Sequence, residues 1–156
     1  MKQMENSPEV TAIKVSSTAF ARGEMIPSQY TCEGINISPT LDIFNIPEST
    51  KSLALVVEDP DAPSGTWVHW VVWNITVTQH LRENQVPGTE GLNDFLKHHY
   101  SGPCPPSGKH RYFFKIYAVN TLLNLPAHTS KVQLEKAMND HIVGYGELMG
   151  WYKKKY

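Results

Sequence analysis

The feature that most constrains the fold is the stretch 59–75, which reads DPDAPSGTWVHWVVWNI. Its first half is excluded from a helix, because Pro60 and Pro63 fix φ and also restrict the residue before each of them. Its second half, 67–75, is rich in Val, Trp and Ile, which predicts a strand. Strict alternation would place Trp67, His69, Val71 and Trp73 on one face, and Val68, Trp70 and Val72 on the other. Both faces are mostly apolar, which predicts a central strand covered on both sides.

The rest of the chain is predicted to form short β segments and a single helix. Alternation and apolar runs predict strands over 10–20, 40–46, 52–57, 110–119 and 147–152, with a long loop over 76–100. Ser130 and Gln133 have the spacing of a capping box and open a predicted helix over 130–142. We therefore expect a mostly β protein, a sandwich or stack of sheets with a helical appendage. With 156 residues and no linker, the chain is predicted to form one domain, 1–156.

Charge and composition exclude some classes of function. The formal net charge is -1, whereas nucleic-acid-binding domains usually carry a basic patch, so no nucleic-acid partner is predicted. The N-terminal segment 1–10 is polar and lacks the apolar core of a signal peptide, and no stretch has the length of a transmembrane segment. The two cysteines, Cys32 and Cys104, lack metal-type spacing, which favours reduced thiols in a cytoplasmic protein.

The strongest candidate site combines a carboxylate, two histidines and a tyrosine: Asp59, His69, His110 and Tyr112. Each histidine lies near the start of a predicted strand that follows a loop rich in Pro or Gly, so adjacent strands would bring them together. Two imidazoles, one fixed by a carboxylate, can hold a small anion together with a tyrosine hydroxyl. The alternative that both histidines are core residues stays open. A zinc site and a Cys104 nucleophile have weaker support, because neither shows the required motif.

Three blocks, DPDAPSGTWVHWVVWNI, YSGPCPPSGKHRYFFKIYA and GELMGWYKK, resemble the phosphatidylethanolamine-binding protein family, most of all its bacterial and archaeal Raf kinase inhibitor-like branch. CEGINISP, TKSLALVVEDPDAP and GLNDF extend the resemblance to nearly the whole chain. It implies a large antiparallel sheet packed against a second, smaller sheet, with C-terminal helical elements. It also implies a cis Ala62–Pro63 bond and a small anion-binding pocket formed by Asp59, Ala62, Pro63, Trp67, His69, Gly102, Pro103, Pro105, His110 and Tyr112. No cofactor and no metal are expected.

The resemblance also frames the functional hypotheses. The chain replaces small residues of the family pattern with Leu96, His99 and Ser101, so the mouth of the pocket is expected to differ. The leading hypothesis is a non-enzymatic protein that binds a phosphate-like or carboxylate anion and regulates a protein partner such as a kinase or protease. The alternatives are a hydrolase or proton-transfer enzyme that uses Asp59 and His69, and an inhibitor that acts through a surface loop. The oligomeric state, including a homodimer, stays open.

Overall fold

The computed structural model describes residues 9–156, which form two β-sheets and one helix. The strands are β1 (Thr11–Ala12), β2 (Lys14–Ser16), β3 (Leu41–Phe44), β4 (Ser52–Asp59), β5 (Trp67–Ile75), β6 (His80–Leu81), β7 (Thr89–Glu90), β8 (Lys109–Val119) and β9 (Ile142–Lys153). The helix, α1, spans Lys131–Met138, and a 3-10 turn spans Ser28–Tyr30. Most of the polar N-terminal segment 1–10 lies outside the described residues.

The larger sheet contains six strands in the order β1-β9-β8-β4-β5-β7, and the smaller sheet contains three in the order β2-β3-β6. The predicted class, a mostly β protein with a large and a small sheet, is confirmed. All strand pairs are antiparallel except β1 and β9, which run parallel. The large sheet is therefore mixed. The parallel pair arises because the predicted 10–20 strand is divided. Its first part, β1, joins the large sheet beside β9, and its second part, β2, joins the small sheet.

Two apolar clusters cover the two faces of the large sheet. The inter-sheet core packs Val57 of β4 against residues such as Ile43 of β3. On the opposite face, Leu134 and Met138 of α1 pack against Val56 of β4. All eight residues of β4 are buried, so β4 and its neighbour β5 form the covered centre of the sheet, as the apolar character of 67–75 predicted.

The helix begins as predicted and ends early. Ser130 and Gln133 form the capping box, since each side chain accepts the other's backbone N–H. The helix ends at Met138 because Asp140 adopts a positive φ of 70° and reverses the chain. Ile142, which the helical period assigned to the helix, is the first residue of β9, and this strand is longer than the predicted 147–152. Within residues 9–156, no helix has both the length and the apolar character that a bilayer span requires.

A bulge in β5 changes which side chains share a face. Val57 and Glu58 are adjacent in β4, but their partners in β5 are Trp70 and Val68, which are two residues apart. His69 is therefore the extra residue of a bulge. Alternation holds beyond the bulge, because Val71 and Trp73 pack on the α1 side of the sheet while Trp70 and Val72 join the inter-sheet core, as predicted. It fails across the bulge: Val68 packs on the α1 side and does not share a face with Trp70.

The Ala62–Pro63 bond is trans, as are all peptide bonds in the described residues, so the predicted cis bond is wrong. The chain reverses by other means. The N–H of Gly65 donates to the carbonyl oxygen of Ala62 at 3.1 Å, and Gly65 takes a φ of 109° that favours glycine. The N–H of Asp61 donates to Oδ1 of Asp59 at 2.8 Å. These two local bonds make the turn without cis geometry.

Cys32 and Cys104 form a disulfide, with their Cα atoms 5.5 Å apart, so the prediction of reduced thiols is wrong. The cause is a long-range contact. The N–H of Cys32 donates to the carbonyl oxygen of Pro103 at 3.1 Å, which places the two cysteines side by side. They are 72 residues apart in the chain, and nothing in that spacing indicates the contact.

Candidate functional site

A cavity of about 250 Å³ opens where β4 ends and where β5 and β8 begin; we call it the site pocket. These strands are adjacent in the order β8-β4-β5 and antiparallel, so one end of the sheet collects the end of one strand and the starts of two others. The lining residues are Asp59, Ala62, Pro63, Ser64, Trp67, His69, Phe95, Cys104, Pro106 and Tyr112. Most of this surface is apolar, and its polar side chains are those of Asp59, Ser64, His69 and Tyr112.

His69 enters the site pocket because the bulge turns it there. Its Nδ1 atom lies 2.5 Å from the carbonyl oxygen of Ser101. Since a carbonyl oxygen can only accept, Nδ1 carries the proton and Nε2 is left as the free ring nitrogen. Burial lowers the pKa of His69, and the bond to Ser101 offsets this only in part. The imidazole is therefore neutral near pH 7.

Asp59 is hydrogen-bonded to His110 and not to His69. Nδ1 of His110 lies 2.7 Å from Oδ2 of Asp59, and the Asp61 N–H occupies Oδ1 at 2.8 Å. Each carboxylate oxygen therefore accepts one hydrogen bond and keeps further acceptor capacity. The Asp59–His69 hydrogen bond that would orient a catalytic base is not formed; the charge of Asp59 raises the pKa of His69 by less than burial lowers it.

The turn that carries Asp59 is fixed to β8 through Asp61. The guanidinium of Arg111 donates to both carboxylate oxygens of Asp61 at 2.9 Å, and the Arg111 backbone N–H donates at 2.9 Å. The side-chain bonds from Arg111 lower the pKa of Asp61 to about 2. Such a bidentate pair has a defined geometry, so it positions Asp59 against His110.

The hydroxyl of Tyr112 is fully buried and has no hydrogen-bond partner among the described residues. Its ring contacts the edge of His69, at a centroid distance of 5.4 Å, and lies nearly parallel to His110 at 6.5 Å. Burial, and then the charge and hydrogen-bonding attraction of the nearby Asp59 carboxylate, raise the pKa of Tyr112, so the hydroxyl keeps its proton. Asp59 is thus close to the hydroxyl, although no bond of regular geometry joins them. An unpaired buried hydroxyl costs about 1–3 kcal/mol, and a ligand that accepts from it would remove this cost.

The mouth of the pocket is shaped by a loop, 93–99, which we call the lip. The buried Asn93 side chain organises it: its amide donates to the carbonyl oxygen of His69 at 2.9 Å, and its Oδ1 accepts the Phe95 N–H at 2.9 Å. Phe95 lies edge-on to His69, with ring centroids 5.1 Å apart. Leu96 is not among the lining residues, is 75% exposed and has a φ of 61°.

The structure brings most of the predicted site residues together. Six of the ten line the pocket: Asp59, Ala62, Pro63, Trp67, His69 and Tyr112. His110 reaches the site through Asp59. Gly102, Pro103 and Pro105 are buried behind the wall, while Cys104 and Pro106 form its surface. Four lining residues were not predicted: Ser64, Phe95, Cys104 and Pro106. Alternation along 102–106 was a usable signal for two of these, and the GLNDF block was one for Phe95.

Two of the three residues that depart from the family pattern, Ser101 and His99, lie in different places. Ser101 takes part in the site through the carbonyl that holds His69. His99 lines a second cavity of about 250 Å³ beside Trp70 and Tyr100.

Within the described part of the chain, no three His, Cys, Asp or Glu side chains are grouped closely enough to hold a metal ion.

Fold and pocket together define a two-sheet β protein of a ligand-binding class. The chain belongs to the phosphatidylethanolamine-binding protein family, whose model matches residues 16–153. The sequence resemblance to this family is thereby confirmed.

Similar proteins occur in archaea and bacteria. A UPF0098 protein of Pyrococcus horikoshii is 44% identical over 158 residues, which cover 94% of this chain and 79% of that protein. The crystal structure of a phosphatidylethanolamine-binding protein homologue from Chlamydia trachomatis has a TM-score of 0.89 at 42% identity and covers 93% of this chain and 99% of that one. E. coli YbcL, described as a member of the mammalian PEBP family, has a TM-score of 0.83 at 31% identity, with 92% and 99% covered.

Proposed function

We propose that this protein binds a small anion, with a phosphate-like or carboxylate group, in the site pocket. The observation that carries the proposal is the buried, unpaired hydroxyl of Tyr112 in the pocket wall. A phenol that keeps its proton is a donor, and an anionic oxygen of a ligand can accept from it in competition with the nearby Asp59 carboxylate. Membership of the family supports ligand binding in general, and the proposal of an anion rests on the Tyr112 hydroxyl as donor.

The charges of the wall favour an anion that carries a proton. Asp59 contributes negative charge, and neutral His69 offers Nε2 as an acceptor. A monoanionic phosphomonoester fits both groups, because its P–OH donates to Nε2 while another oxygen accepts from Tyr112. Protonation of His69 on binding a dianion has the same net effect of taking up one proton. Affinity should therefore rise as pH falls from about 8 toward 6, near the second pKa of phosphate.

The other walls are apolar, which defines the rest of the ligand. Trp67 and Phe95 meet edge to face, with ring centroids 5.7 Å apart, and Pro63 and Pro106 complete the lining. Pockets of this kind enclose an apolar body and orient it through a few polar groups. Phenyl phosphate should therefore bind more tightly than inorganic phosphate.

The decisive experiment is calorimetric titration of phenyl phosphate into wild type and Tyr112→Phe. The variant should bind about tenfold more weakly, the equivalent of one hydrogen bond of about 1.4 kcal/mol. Its stability should be equal or higher, because a buried unpaired hydroxyl has been removed. Tyr117→Phe is the matched control: Tyr117 is also buried but lies on the α1 side of the large sheet. Equal affinity in all three proteins would overturn the proposal.

We also propose that ligand binding regulates a protein partner, such as a kinase, a protease or a second copy of the chain. The basis for this proposal is the resemblance of the sequence blocks to the Raf kinase inhibitor-like branch. The likeness to a carboxypeptidase Y inhibitor in complex with its proteinase has 18% identity and a TM-score of 0.57, so it concerns the fold alone. A partner captured by wild type and lost by Tyr112→Phe would support pocket-dependent regulation. A partner captured equally well by wild type and Tyr112→Phe would favour inhibition through a surface loop. The cytoplasmic location stays a prediction; the disulfide is a feature that is more common in oxidising compartments.

Binding without turnover is the proposal that the geometry favours over catalysis. The Asp59–His69 pair that the enzyme hypothesis requires is not formed, because Asp59 bonds to His110 and the Ser101 carbonyl holds His69. Cys104 is held in a disulfide, so it is not a free nucleophile. Turnover of a small ester or phosphate that is abolished by His69→Ala would overturn this part of the proposal.

A further inference from the structure

The disulfide connects the protein surface to the site pocket. Cys104 lines the pocket, whereas Cys32 is exposed to solvent on a different loop. A reagent in solution can therefore approach Cys32 without entering the pocket, and cleavage of the bond changes the pocket wall at Cys104.

The wall and the Cys32 loop are also joined by hydrogen bonds. The N–H of Cys32 donates to the carbonyl oxygen of Pro103 at 3.1 Å, and the N–H of Gly102 donates to Oδ1 of Asn36 at 2.8 Å. The packing is close, because a Cβ atom on Gly102 would lie 2.2 Å from the carbonyl oxygen of Tyr30. Segment 100–104 therefore packs against loop 30–36 through these hydrogen bonds, and the disulfide joins the same two segments covalently.

This contact bears on the imidazole of His69. The same wall segment contains Ser101, whose carbonyl oxygen fixes the Nδ1 proton of His69. Ser101 is held in turn by its N–H bond to the carbonyl oxygen of His69, at 3.3 Å. A looser wall would therefore weaken both the surface that Cys104 gives to the pocket and the orientation of His69.

We propose that Cys32–Cys104 is a thiol–disulfide exchange site, attacked at Cys32 by a dithiol reductant, and that its redox state sets how tightly the pocket binds its anion. A thiolate of the dithiol attacks Sγ of Cys32 and the Cys32–Cys104 bond breaks, so Cys104 leaves as a thiolate and takes up a proton. The second thiol of the dithiol then displaces Cys32. In total, the protein gains two electrons and two protons, and the dithiol becomes a disulfide.

The effect on binding follows from pre-organisation and rests on the proposed function. In the oxidised protein the wall is held before the ligand arrives, whereas in the reduced protein part of the binding energy must order it. Reduction does not remove the hydrogen-bonding groups of the contact, so the loss should be moderate, and we expect phenyl phosphate to bind about three- to tenfold more weakly after reduction. Linkage requires the ligand to favour the oxidised state by the same factor.

The first test maps the attack and needs no ligand. The oxidised full chain is treated with a monothiol, quenched with an alkylating reagent and analysed by mass spectrometry. The mixed disulfide should lie on Cys32 and the alkyl group on Cys104. The reverse distribution, or resistance of the bond while the chain is folded, would overturn the exchange site.

The second test measures the wall itself. Hydrogen exchange at the amides of Gly102 and Cys32 should be faster in reduced protein, while the β8–β9 amides keep their protection. Unchanged exchange at both wall amides would overturn the coupling.

The third test measures affinity for phenyl phosphate in oxidised, reduced and Cys32→Ser/Cys104→Ser protein. The last two should agree, and the double variant should not respond to the dithiol. Equal affinity in oxidised and reduced protein would overturn the effect on binding. If neither form binds, the proposed function fails, and the first two tests still decide the exchange site and its effect on the wall.

Discussion

Nδ1 of His110 lies 2.7 Å from Oδ2 of Asp59, and the two side chains are only 9% and 4% exposed. The pair joins the start of β8 to the end of β4 beneath the site pocket. His80 and Asp42 make the same 2.7 Å contact, but their side chains are 52% and 23% exposed. The protein therefore contains two His–Asp pairs of equal length in different surroundings, which separates the effect of burial from that of distance.

Asp59→Ala should destabilise the protein by about 3 kcal/mol, because it leaves a buried polar partner uncompensated. Asp42→Ala, the control, should cost about 1 kcal/mol or less, since exposed pairs contribute little. Chemical denaturation of both variants measures the difference. Equal losses would mean that Asp59 is no more important to the fold than a surface carboxylate.

His69 gives the protein a dependence on pH. Burial lowers its pKa in the folded state, so the unfolded chain, with a histidine pKa near 6.5, binds the proton more readily. This contribution to stability is complete above about 6.5 and is lost as pH falls through that value toward the lower folded pKa. Denaturation of wild type and His69→Gln between about pH 8 and 5 should show a steeper acid loss in wild type. Parallel curves would contradict the assignment.

A ligand should counteract this loss. An anion that favours protonated His69 binds the folded state better at low pH and stabilises it by mass action. Saturating phenyl phosphate should therefore flatten the acid loss in wild type. It should have little effect on the slope in His69→Gln.

The disulfide should contribute substantially to stability. It closes a loop across 72 residues, and the chain-entropy model gives about 4 kcal/mol for such a loop, with measured values of about 2–4 kcal/mol. Reduction, or Cys32→Ser/Cys104→Ser, should lower the unfolding free energy by that amount in denaturant titrations. Loss of less than about 1 kcal/mol would mean that the hydrogen bonds across the contact already hold the two loops together.

The sequence could predict features that depend on neighbouring residues. The strand 67–75 and the capping box at Ser130 both follow from local preferences, and the structure has both. The convergence of Asp59, His69 and Tyr112 followed from two strands whose loops share one sheet end. These are consequences of period, turn chemistry and strand adjacency.

Features set by tertiary packing could not be predicted in the same way. The bulge at His69 arises from register with β4, and no residue in 67–75 marks it. The pairing of Cys32 with Cys104 depends on a contact between distant loops. The resemblance implied a cis bond, whereas the turn at Gly65 makes the reversal with a trans bond. Each error concerns an interaction that the local sequence does not contain.

The lip offers a last prediction, at Leu96. This residue has a φ of 61° and is 75% exposed, so it has an unfavourable backbone conformation and little packing to compensate for it. A left-handed conformation costs a residue other than glycine about 1–2 kcal/mol. Leu96→Gly removes that cost but increases the entropy of the unfolded chain, so the net gain should be about 0.5–1 kcal/mol. Thermal and denaturant unfolding measure it.

Val86→Gly is the matched control, because Val86 is 65% exposed and does not have a positive φ. There the same kind of substitution should destabilise the protein by about 0.5–1 kcal/mol, since only the entropic effect of glycine remains. Leu96→Gly should also leave the affinity for phenyl phosphate unchanged, because Leu96 does not line the pocket and Asn93 holds the lip from within. If Leu96→Gly instead weakens binding, the exposed leucine contacts the ligand, and the site extends from the pocket onto the lip.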